Sequence, residues 1–144
     1  MPVHVEQAEL PYAPGQVFDL VADIESYPKF LRHVAAARIS RREGSTLWVD
    51  QIVQFKLMRL KFSTKAVLDR PSRIHVVCNE SLLGTFDDQW SFTDGPDGGT
   101  KLQCRTEFQF KSNLVRIAMD ATLGEVLKTT VQAFQARARQ LYGQ

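Results

Sequence analysis

The C-terminal segment, residues 112–142, constrains the fold of this chain more than any other feature. It contains no proline and one internal glycine, Gly124, and it follows a region whose apolar pattern is that of β-strands. A helix of this length extends about 45 Å at 1.5 Å per residue, which is enough to cross a small domain. The segment therefore predicts a single long helix laid across a sheet.

The apolar positions of this helix change along its length. The second half carries one stripe at helical spacing, which a sheet can cover, formed by Leu123, Leu127, Val131, Phe134, Ala138 and Leu141. In the first half they spread further around the helix, at Leu114, Val115, Ile117, Ala118, Met119 and Ala121. Another element, a partner, a membrane or a bound apolar ligand must cover the remainder. We expect residues 114–123 to line a cavity, and a bend at Gly124 would open the end where a lipid enters.

Length and composition indicate an ordinary globular domain. The 144 residues are 44% hydrophobic and 24% charged, which excludes a disordered chain and predicts one domain over residues 1–144. No apolar run approaches the roughly 18 residues of a transmembrane helix, and the N-terminal residues lack a signal-peptide pattern. We therefore expect a cytoplasmic protein, either free or peripheral at the inner face of the cell membrane. Cys78 and Cys104 stand alone in separate predicted strands, without CxxC spacing, which favours buried free thiols.

The rest of the chain alternates between turn signals and short apolar patterns. Helical spacing predicts a first helix from Pro14 through Ile24 and, after the break imposed by Pro28, a short second helix through Phe30 and Leu31. Period-two alternation predicts strands at residues 3–10, 37–42, 47–55, 60–69, 73–80, 85–93 and 101–111. Short connections imply antiparallel neighbours, so the fold class is α+β. A curved sheet around the long helix would enclose an apolar cavity of roughly 300–1,000 Å³.

Several stretches carry a resemblance to a known family. Residues 17–31 (VFDLVADIESYPKFL), 90–92 (WSF), 107–114 (EFQFKSNL) and 131–142 (VQAFQARARQLY) are similar to coenzyme Q-binding proteins. These proteins form a branch of the START-like (polyketide cyclase-like, SRPBCC) superfamily that includes the ribosome-association toxin RatA. The resemblance implies a helix-grip (START/Bet v-like) fold, with two short helices after the first strand. In that fold a curved antiparallel sheet of about seven strands wraps around the C-terminal helix and forms a tunnel for a polyisoprenoid quinone.

The chain departs from this family after the second helix. Arg32 and His33 follow Phe30 and Leu31, where the family usually continues with a proline and often a cysteine. We expect the turn here to differ, and the role of that proline and cysteine is not carried over.

Catalytic machinery of a known type is absent from the sequence. The histidines lie in three different predicted elements, and none has a neighbour at metal-ligand spacing: they are His4, His33 and His75. There is no GxSxG, P-loop or GxGxxG motif. The sequence therefore predicts a protein that is not an enzyme, with no catalytic residue, no metal and no required cofactor.

Asp87 and Asp88 are neighbours in a predicted strand, so their side chains face opposite sides of the sheet. Asp88 shares its face with Trp90, and among apolar groups its pKa is expected to rise. Its carboxyl group is a candidate polar contact to a quinone oxygen. The alternative is a structural pair with Arg105 or Lys101 of the adjacent strand.

Cations cluster in three places. Residues 55–62 (FKLMRLKF) mix apolar and basic side chains at a predicted hairpin, which is either solvated or able to enter an anionic membrane surface and admit a lipid. Arg38, Arg41 and Arg42 form a second cluster, either a solvated face or a contact to ribosomal RNA. Arg137 and Arg139 form a third. The net charge of +2 argues against DNA or general nucleic-acid binding.

These observations predict a module that binds ubiquinone (coenzyme Q) or a similar isoprenoid between the sheet and the C-terminal helix, as a chaperone or carrier supporting respiration. The ligand-binding residues predicted at the entrance are Phe55, Leu57, Met58, Leu60 and Phe62. Those predicted inside are Trp90, Phe108, Phe110, Ile117, Ala118, Ala121 and Leu127. The principal alternative is a ribosome-associated, toxin-like protein that binds the large subunit through Arg38, Arg41 and Arg42 and blocks subunit association. A cyclase-type enzyme using Asp88 is a third.

Overall fold

The seven strands in the part of the chain that the structure describes form one curved antiparallel sheet, in the order β1-β7-β6-β5-β4-β3-β2. The structure is a computed structural model that describes residues 3–55 and 57–143, without the side chain of Phe55. The strands are β1 (Val3–Leu10), β2 (Val34–Glu43), β3 (Thr46–Phe55), β4 (Met58–Asp69), β5 (Arg73–Cys78), β6 (Gly84–Asp94) and β7 (Thr100–Phe110). The predicted meander is therefore present, with β1 and β2 at its two edges.

Period-two alternation gives the sheet an apolar inner face. In β4 the side chains of Leu60, Phe62, Thr64 and Ala66 are buried, while the residues between them are exposed. At the start of β6, Gly84 adopts a φ of +135°, and a Cβ there would lie 2.1 Å from the carbonyl oxygen of Gln109. Glycine at this position therefore lets β6 pair closely with β7.

Helix α1 (Pro14–Ala22) and a 3-10 helix (Ile24–Lys29) connect β1 to β2. The predicted position of the second helix is wrong, because this helix begins directly after Asp23 and ends before Phe30. The hydroxyl of Tyr27 donates to the carbonyl oxygen of Val21 over 2.5 Å, which holds the 3-10 helix against the end of α1. Pro28 is accommodated inside this short helix.

The long helix α2 (Asn113–Tyr142) is present as predicted and packs on the inner face of the sheet. Its N-cap is Ser112, whose Oγ accepts a hydrogen bond from the backbone N–H of Val115 over 3.2 Å. Phe134 is completely buried at the centre of the core, and its ring meets those of Tyr27 and Trp90 edge to face at 5.5 Å. These rings fill one end of the space between the sheet and α2.

The first half of α2 does not line the interior as the sequence pattern suggested. The face toward the sheet is formed by Val115, Met119 and Leu123, which pack with β4 and β7 side chains. The other apolar residues are exposed on a different face of the helix, namely Leu114, Ile117, Ala118 and Ala121. The prediction that residues 114–123 line the cavity is wrong except at Leu123, because one helix face covers the sheet at this point and the second is left uncovered.

Candidate ligand-binding site

A cavity of about 180 Å³ lies between the inner face of the sheet and the middle of α2. Strands β3 to β7 contribute its floor, and Leu123, Val126, Leu127 and Thr130 of α2 contribute its roof. The 3-10 helix and the segment that follows it form one side. Near solvent on that side is His33, whose Nδ1 lies 3.3 Å from the carbonyl oxygen of Gln54 in an exposed hydrogen bond.

The cavity is smaller than the range expected from the sequence. Drug-sized ligands occupy roughly 300–1,000 Å³, whereas an apolar cavity of about 150 Å³ holds a benzene ring. The side chains of Phe134, Tyr27 and Trp90 pack together and narrow the space at one end. The space therefore suits one ring-sized group, and any longer chain attached to that ring extends out of the cavity.

Asp88 is the carboxyl group in the cavity lining. Its Oδ1 accepts hydrogen bonds from Thr106 Oγ1 over 2.8 Å and Cys104 Sγ over 3.0 Å, and its Oδ2 accepts one from Trp90 Nε1 over 3.1 Å. Burial raises the pKa of Asp88 above its ordinary value, and the three hydrogen bonds oppose that shift without cancelling it. The side chain thus presents a carboxyl group to the cavity that is easier to protonate than an exposed aspartate.

The alternative structural pairing of Asp88 with Arg105 or Lys101 is wrong. The register of β6 and β7 aligns Asp88 with Thr106 and Asp87 with Glu107. Because neighbouring strand residues face opposite sides of the sheet, Arg105 is on the face opposite to Asp88. Arg105 accordingly lies outside, 3.6 Å from Glu107.

Asp87, which precedes Asp88, faces the outer side of the sheet and has a lowered pKa. Asp87 Oδ2 lies 2.8 Å from Nε2 of His75. Partial burial raises the pKa of Asp87, but hydrogen bonds from His75 and Gln89 outweigh that effect, so the pKa is lowered. The predicted opposite orientation of the two acids is confirmed by these contacts.

Thr64 presents a second polar group to the cavity. This residue is 6% exposed and lines the cavity from β4. Its Oγ1 is buried without a hydrogen-bond partner within residues 3–55 and 57–143. A buried hydroxyl left unpaired costs about 1–3 kcal/mol. Thr64 is therefore suited to donate to an acceptor on a bound molecule.

The structure brings together only some of the predicted site residues. Those that line the cavity are Phe62, Asp88, Trp90, Phe108 and Leu127. Leu60 is buried beside them, and Phe110 stacks on Phe108 with ring centroids 5.3 Å apart. Leu57 and Met58 are exposed at the β3–β4 turn, and the side chain of Phe55 is outside the described residues.

Three predicted interior residues lie on the surface: Ile117, Ala118 and Ala121. The lining residues that sequence reasoning missed include Thr64, Tyr27 and His33. Strand alternation places Thr64 on the inner face, but the contributions of Tyr27 and His33 depend on how the connection after α1 folds.

The structure divides the predicted arginine cluster, because only two of its three members lie on the outer face of the sheet. A register shift between Ile39 and Arg41 lets Arg38 and Arg41 pair with Asp50 and Trp48, which share the outer face. Arg42 instead pairs with Leu47, whose side chain is buried. The three arginines therefore do not form one patch.

Arg41 instead forms a basic group with Lys65 of β4, around the ring of Trp48. The guanidinium carbon of Arg41 lies 4.6 Å from the centroid of the Trp48 ring, and Nζ of Lys65 lies 5.9 Å from the same centroid. Two cations thus flank one indole ring on the outer face of β2, β3 and β4. Arg41 also pairs with Glu43.

Comparison with known proteins assigns the chain to a family. The sequence profile described as polyketide cyclase / dehydrase and lipid transport matches residues 10–135. The chain belongs to this family. The ribosome association toxin RatA of Pseudomonas aeruginosa is 27% identical, over 99% of this chain and 100% of the relative. The mitochondrial coenzyme Q-binding protein COQ10 of Dictyostelium discoideum is 25% identical, over 94% of this chain and 68% of the relative.

Solved structures support the same family fold. The solution structure of an 18 kDa protein from Caulobacter crescentus has a TM-score of 0.80 and 31% sequence identity, over 100% of both chains. The predicted helix-grip fold and the resemblance to the START-like superfamily are confirmed. Across residues 3–55 and 57–143, no helix combines the length and apolar character required to span a bilayer. In the same residues, His, Cys, Asp and Glu side chains form no group of three able to hold a metal ion.

Proposed function

We propose that this protein binds ubiquinone or a similar ring-bearing isoprenoid in the cavity, as a carrier that does no chemistry on its ligand. The observation that carries the proposal is the polar pair within the apolar cavity: Asp88 with a raised pKa and Thr64 with an unpaired hydroxyl. The Thr64 hydroxyl can donate to a carbonyl oxygen of a quinone ring, and the Asp88 carboxyl can do so in its protonated form. The remaining lining is largely apolar and supplies binding free energy by burial. The name of the coenzyme Q-binding relative points the same way.

The size of the cavity sets the mode of binding. At about 180 Å³ it accommodates the quinone ring, while the isoprenoid tail passes out beside His33 and Val34. A carrier benefits from this arrangement because ring and tail can leave without separating the sheet from α2.

Catalysis is not favoured by the groups around Asp88. A general acid and a general base that work together must both lie within hydrogen-bond reach of the reacting atoms. The partners of Asp88 are a hydroxyl, a thiol and an indole, and burial raises the pKa of the Cys104 thiol well above its ordinary value. These groups orient a carboxyl but do not exchange protons with it at neutral pH.

Two measurements test the carrier function. The protein contains two tryptophans, so Trp48→Phe leaves Trp90 as the reporter in the cavity wall. Titration of this variant with a short-tailed ubiquinone is expected to quench the Trp90 fluorescence to saturation. Organic extraction of protein purified from quinone-producing cells is expected to release quinone.

A cavity-filling variant and its control complete the test. Leu127→Phe adds volume to the lining and is expected to weaken quinone binding about tenfold or more. Leu141→Phe makes the same change at an exposed position of the same helix and is expected to leave binding unchanged. If the extract contains no quinone and Trp90 does not respond, the carrier proposal is wrong.

Ribosome association is the second candidate, and a specific surface favours it. A relative aligned over 99% of this chain is a ribosome association toxin. The outer face carries Arg41 and Lys65 beside Trp48, and Arg38 opposite Asp50 on the same face. This combination of cations and an aromatic ring suits RNA phosphates and unstacked bases.

Charge reversal distinguishes this candidate. The triple change Arg38→Glu, Arg41→Glu and Lys65→Glu is expected to abolish co-sedimentation with large ribosomal subunits. A control with Arg73→Glu and Lys101→Glu changes exposed cations of other strands and is expected to retain it. Failure of the wild-type protein to co-sediment removes the candidate and leaves the quinone test unaffected.

A further inference from the structure

Exposed apolar side chains collect at one end of the domain. Leu57 and Met58 lie at the β3–β4 turn, Leu82 in the β5–β6 loop, and Leu114 and Ile117 in the first turns of α2, and all are exposed. Because the strands are antiparallel and sequential, these three segments emerge at the same end of the sheet, which we call the loop end. A cluster of this kind on a folded domain marks an interaction site.

The three segments are joined at their bases, which holds their exposed residues at one end of the domain. The backbone N–H of Lys111 donates to the carbonyl oxygen of Leu83 over 2.9 Å, which joins the start of α2 to the β5–β6 loop. Below the surface, Leu60, Leu83 and Met119 pack in one buried cluster. Each lies within two residues of an exposed apolar residue: Leu60 of Met58, Leu83 of Leu82, and Met119 of Ile117.

The exposed apolar face of α2 is confined to the part of the helix that lies at the loop end. Its exposed residues follow i, i+3, i+4 and i+7 spacing: Leu114, Ile117, Ala118 and Ala121. Further along the same face the residues are polar: Glu125, Lys128 and Gln132. The apolar stripe is therefore a local feature of this end of the domain.

Cations accompany the apolar residues. Among the residues that the structure describes, the exposed cations of the three segments and of the adjoining part of β4 are Arg59, Lys61, Lys111 and Arg116. The acids among the described residues of these segments are Glu80 and Asp120, and Asp120 Oδ1 lies 3.1 Å from Nε2 of His4. The loop end therefore combines apolar side chains with a surplus of positive charge.

We propose that the loop end docks on the surface of a lipid bilayer that contains anionic headgroups. Leu57, Leu114 and Ile117 enter the boundary between headgroups and acyl chains, and the surrounding cations contact phosphate groups. Peripheral membrane binding uses this combination of apolar insertion and basic attraction. Docking of this kind needs no bound quinone, so it does not depend on the carrier function.

The docked orientation places the cavity near the bilayer. Val53 lines the cavity on β3, and Leu57 follows it by four residues on the same hairpin. Leu123 lines it on α2, and Ala121 precedes it by two residues. A molecule leaving the cavity at this side meets the lipid surface before bulk water.

A second copy of the chain is the less favourable occupant. A symmetric dimer through the loop end would bring Arg59, Lys111 and Arg116 of one copy toward the same cations of the other. An anionic bilayer complements those charges, whereas self-association opposes them.

Vesicle flotation tests the proposal. Wild-type protein is expected to float with vesicles of phosphatidylethanolamine and phosphatidylglycerol, and to bind vesicles of phosphatidylcholine much less. Raising the salt concentration is expected to weaken binding to the anionic vesicles, because salt screens the basic residues. Leu57→Asp combined with Ile117→Asp is expected to reduce binding about tenfold or more, since it removes two inserted side chains.

A matched variant separates insertion from general loss of an apolar residue. Leu141→Asp changes an exposed leucine at the other end of α2 and is expected to bind vesicles as the wild type does. Thermal melts followed by circular dichroism show whether each variant folds. If the double aspartate variant does not fold, the milder pair Leu57→Ser and Ile117→Ser is tested in its place. Absence of vesicle binding, or an equal loss in the Leu141 variant, overturns the proposal. Sedimentation showing a dimer that the Leu57 and Ile117 variants dissociate would assign the surface to a second copy instead.

Discussion

Nε2 of His4 on β1 lies 3.1 Å from Oδ1 of Asp120 on α2, and this contact fastens the edge strand to the long helix. One turn further along α2, a Cβ on Gly124 would lie 3.3 Å from Cε1 and Nδ1 of the same imidazole ring. The helix thus has a glycine where the edge strand brings a ring close to its backbone.

The first prediction is a double-mutant cycle on this contact. Alanine in place of glycine stabilises a helix interior by about 1 kcal/mol, but here the new methyl group displaces the His4 ring. We expect Gly124→Ala to change the free energy of unfolding by less than about 0.5 kcal/mol alone, and to stabilise the His4→Ala protein by about 1 kcal/mol. Urea denaturation of the four proteins measures the coupling. Equal effects in both backgrounds would show that His4 does not restrict this turn of the helix.

The second prediction concerns the pH dependence of stability. The folded protein holds the pKa of Asp88 above its unfolded value, so the folded state binds the proton more tightly. The free energy of unfolding therefore falls as pH rises from about 4 through the folded pKa of Asp88. Asp88→Asn is expected to reduce this fall in denaturation series at several pH values.

Asp87→Asn is the matched control, with the opposite sign. The lowered pKa of Asp87 contributes stability that is present above about pH 4 and is lost as pH falls through its folded pKa. Removing that carboxylate is expected to reduce the loss at acid pH. If the two variants had the same pH profile, the inward and outward assignment of these acids would be wrong.

The third prediction compares two threonines of the cavity wall. Thr64→Val removes a buried hydroxyl without a partner among the described residues, and is expected to stabilise the ligand-free protein by about 1 kcal/mol. Thr106→Val removes the 2.8 Å hydrogen bond to Asp88 and is expected to destabilise it by about 1–2 kcal/mol. Thermal denaturation of both variants without ligand measures the difference. A destabilised Thr64→Val protein would show that this hydroxyl is already satisfied.

The fourth prediction tests which face of α2 is covered. Met119 is buried and Ile117 is 69% exposed, two residues apart on the same helix. We expect Met119→Ala to cost about 2–4 kcal/mol of unfolding free energy and Ile117→Ala to cost less than about 0.5 kcal/mol. Guanidinium denaturation curves measure both. Comparable costs would mean that the first half of α2 is covered on both faces.

Alternation along the strands made the sheet predictable from sequence. Because side chains in a strand alternate strictly, the inward set that includes Phe62, Asp88 and Phe108 followed from the strands alone. The helix was harder, since its periodicity reveals apolar faces without saying which of them another element covers. Ile117 was therefore placed inside, although the β7–α2 connection turns it outward.

Other features depended on contacts distant in sequence. The size of the cavity follows from where the rings of Tyr27, Trp90 and Phe134 meet, and these residues come from three separate elements. The outer basic group depends on the register shift after Ile39, which no local sequence signal marked. Family resemblance predicts the fold, whereas these individual placements depend on contacts between residues far apart in sequence.

Strand β4 shows what such alternation means for altering the molecule. Thr64 faces the cavity, and the next residue, Lys65, lies beside the Trp48 ring on the other side of the sheet. Slippage of β4 by a single residue would exchange the two sets of side chains. Cavity-lining residues and the residues of the outer basic group therefore alternate along the same strand. Each set can be changed by substitution at its own positions, but a shift of the strand would disrupt both.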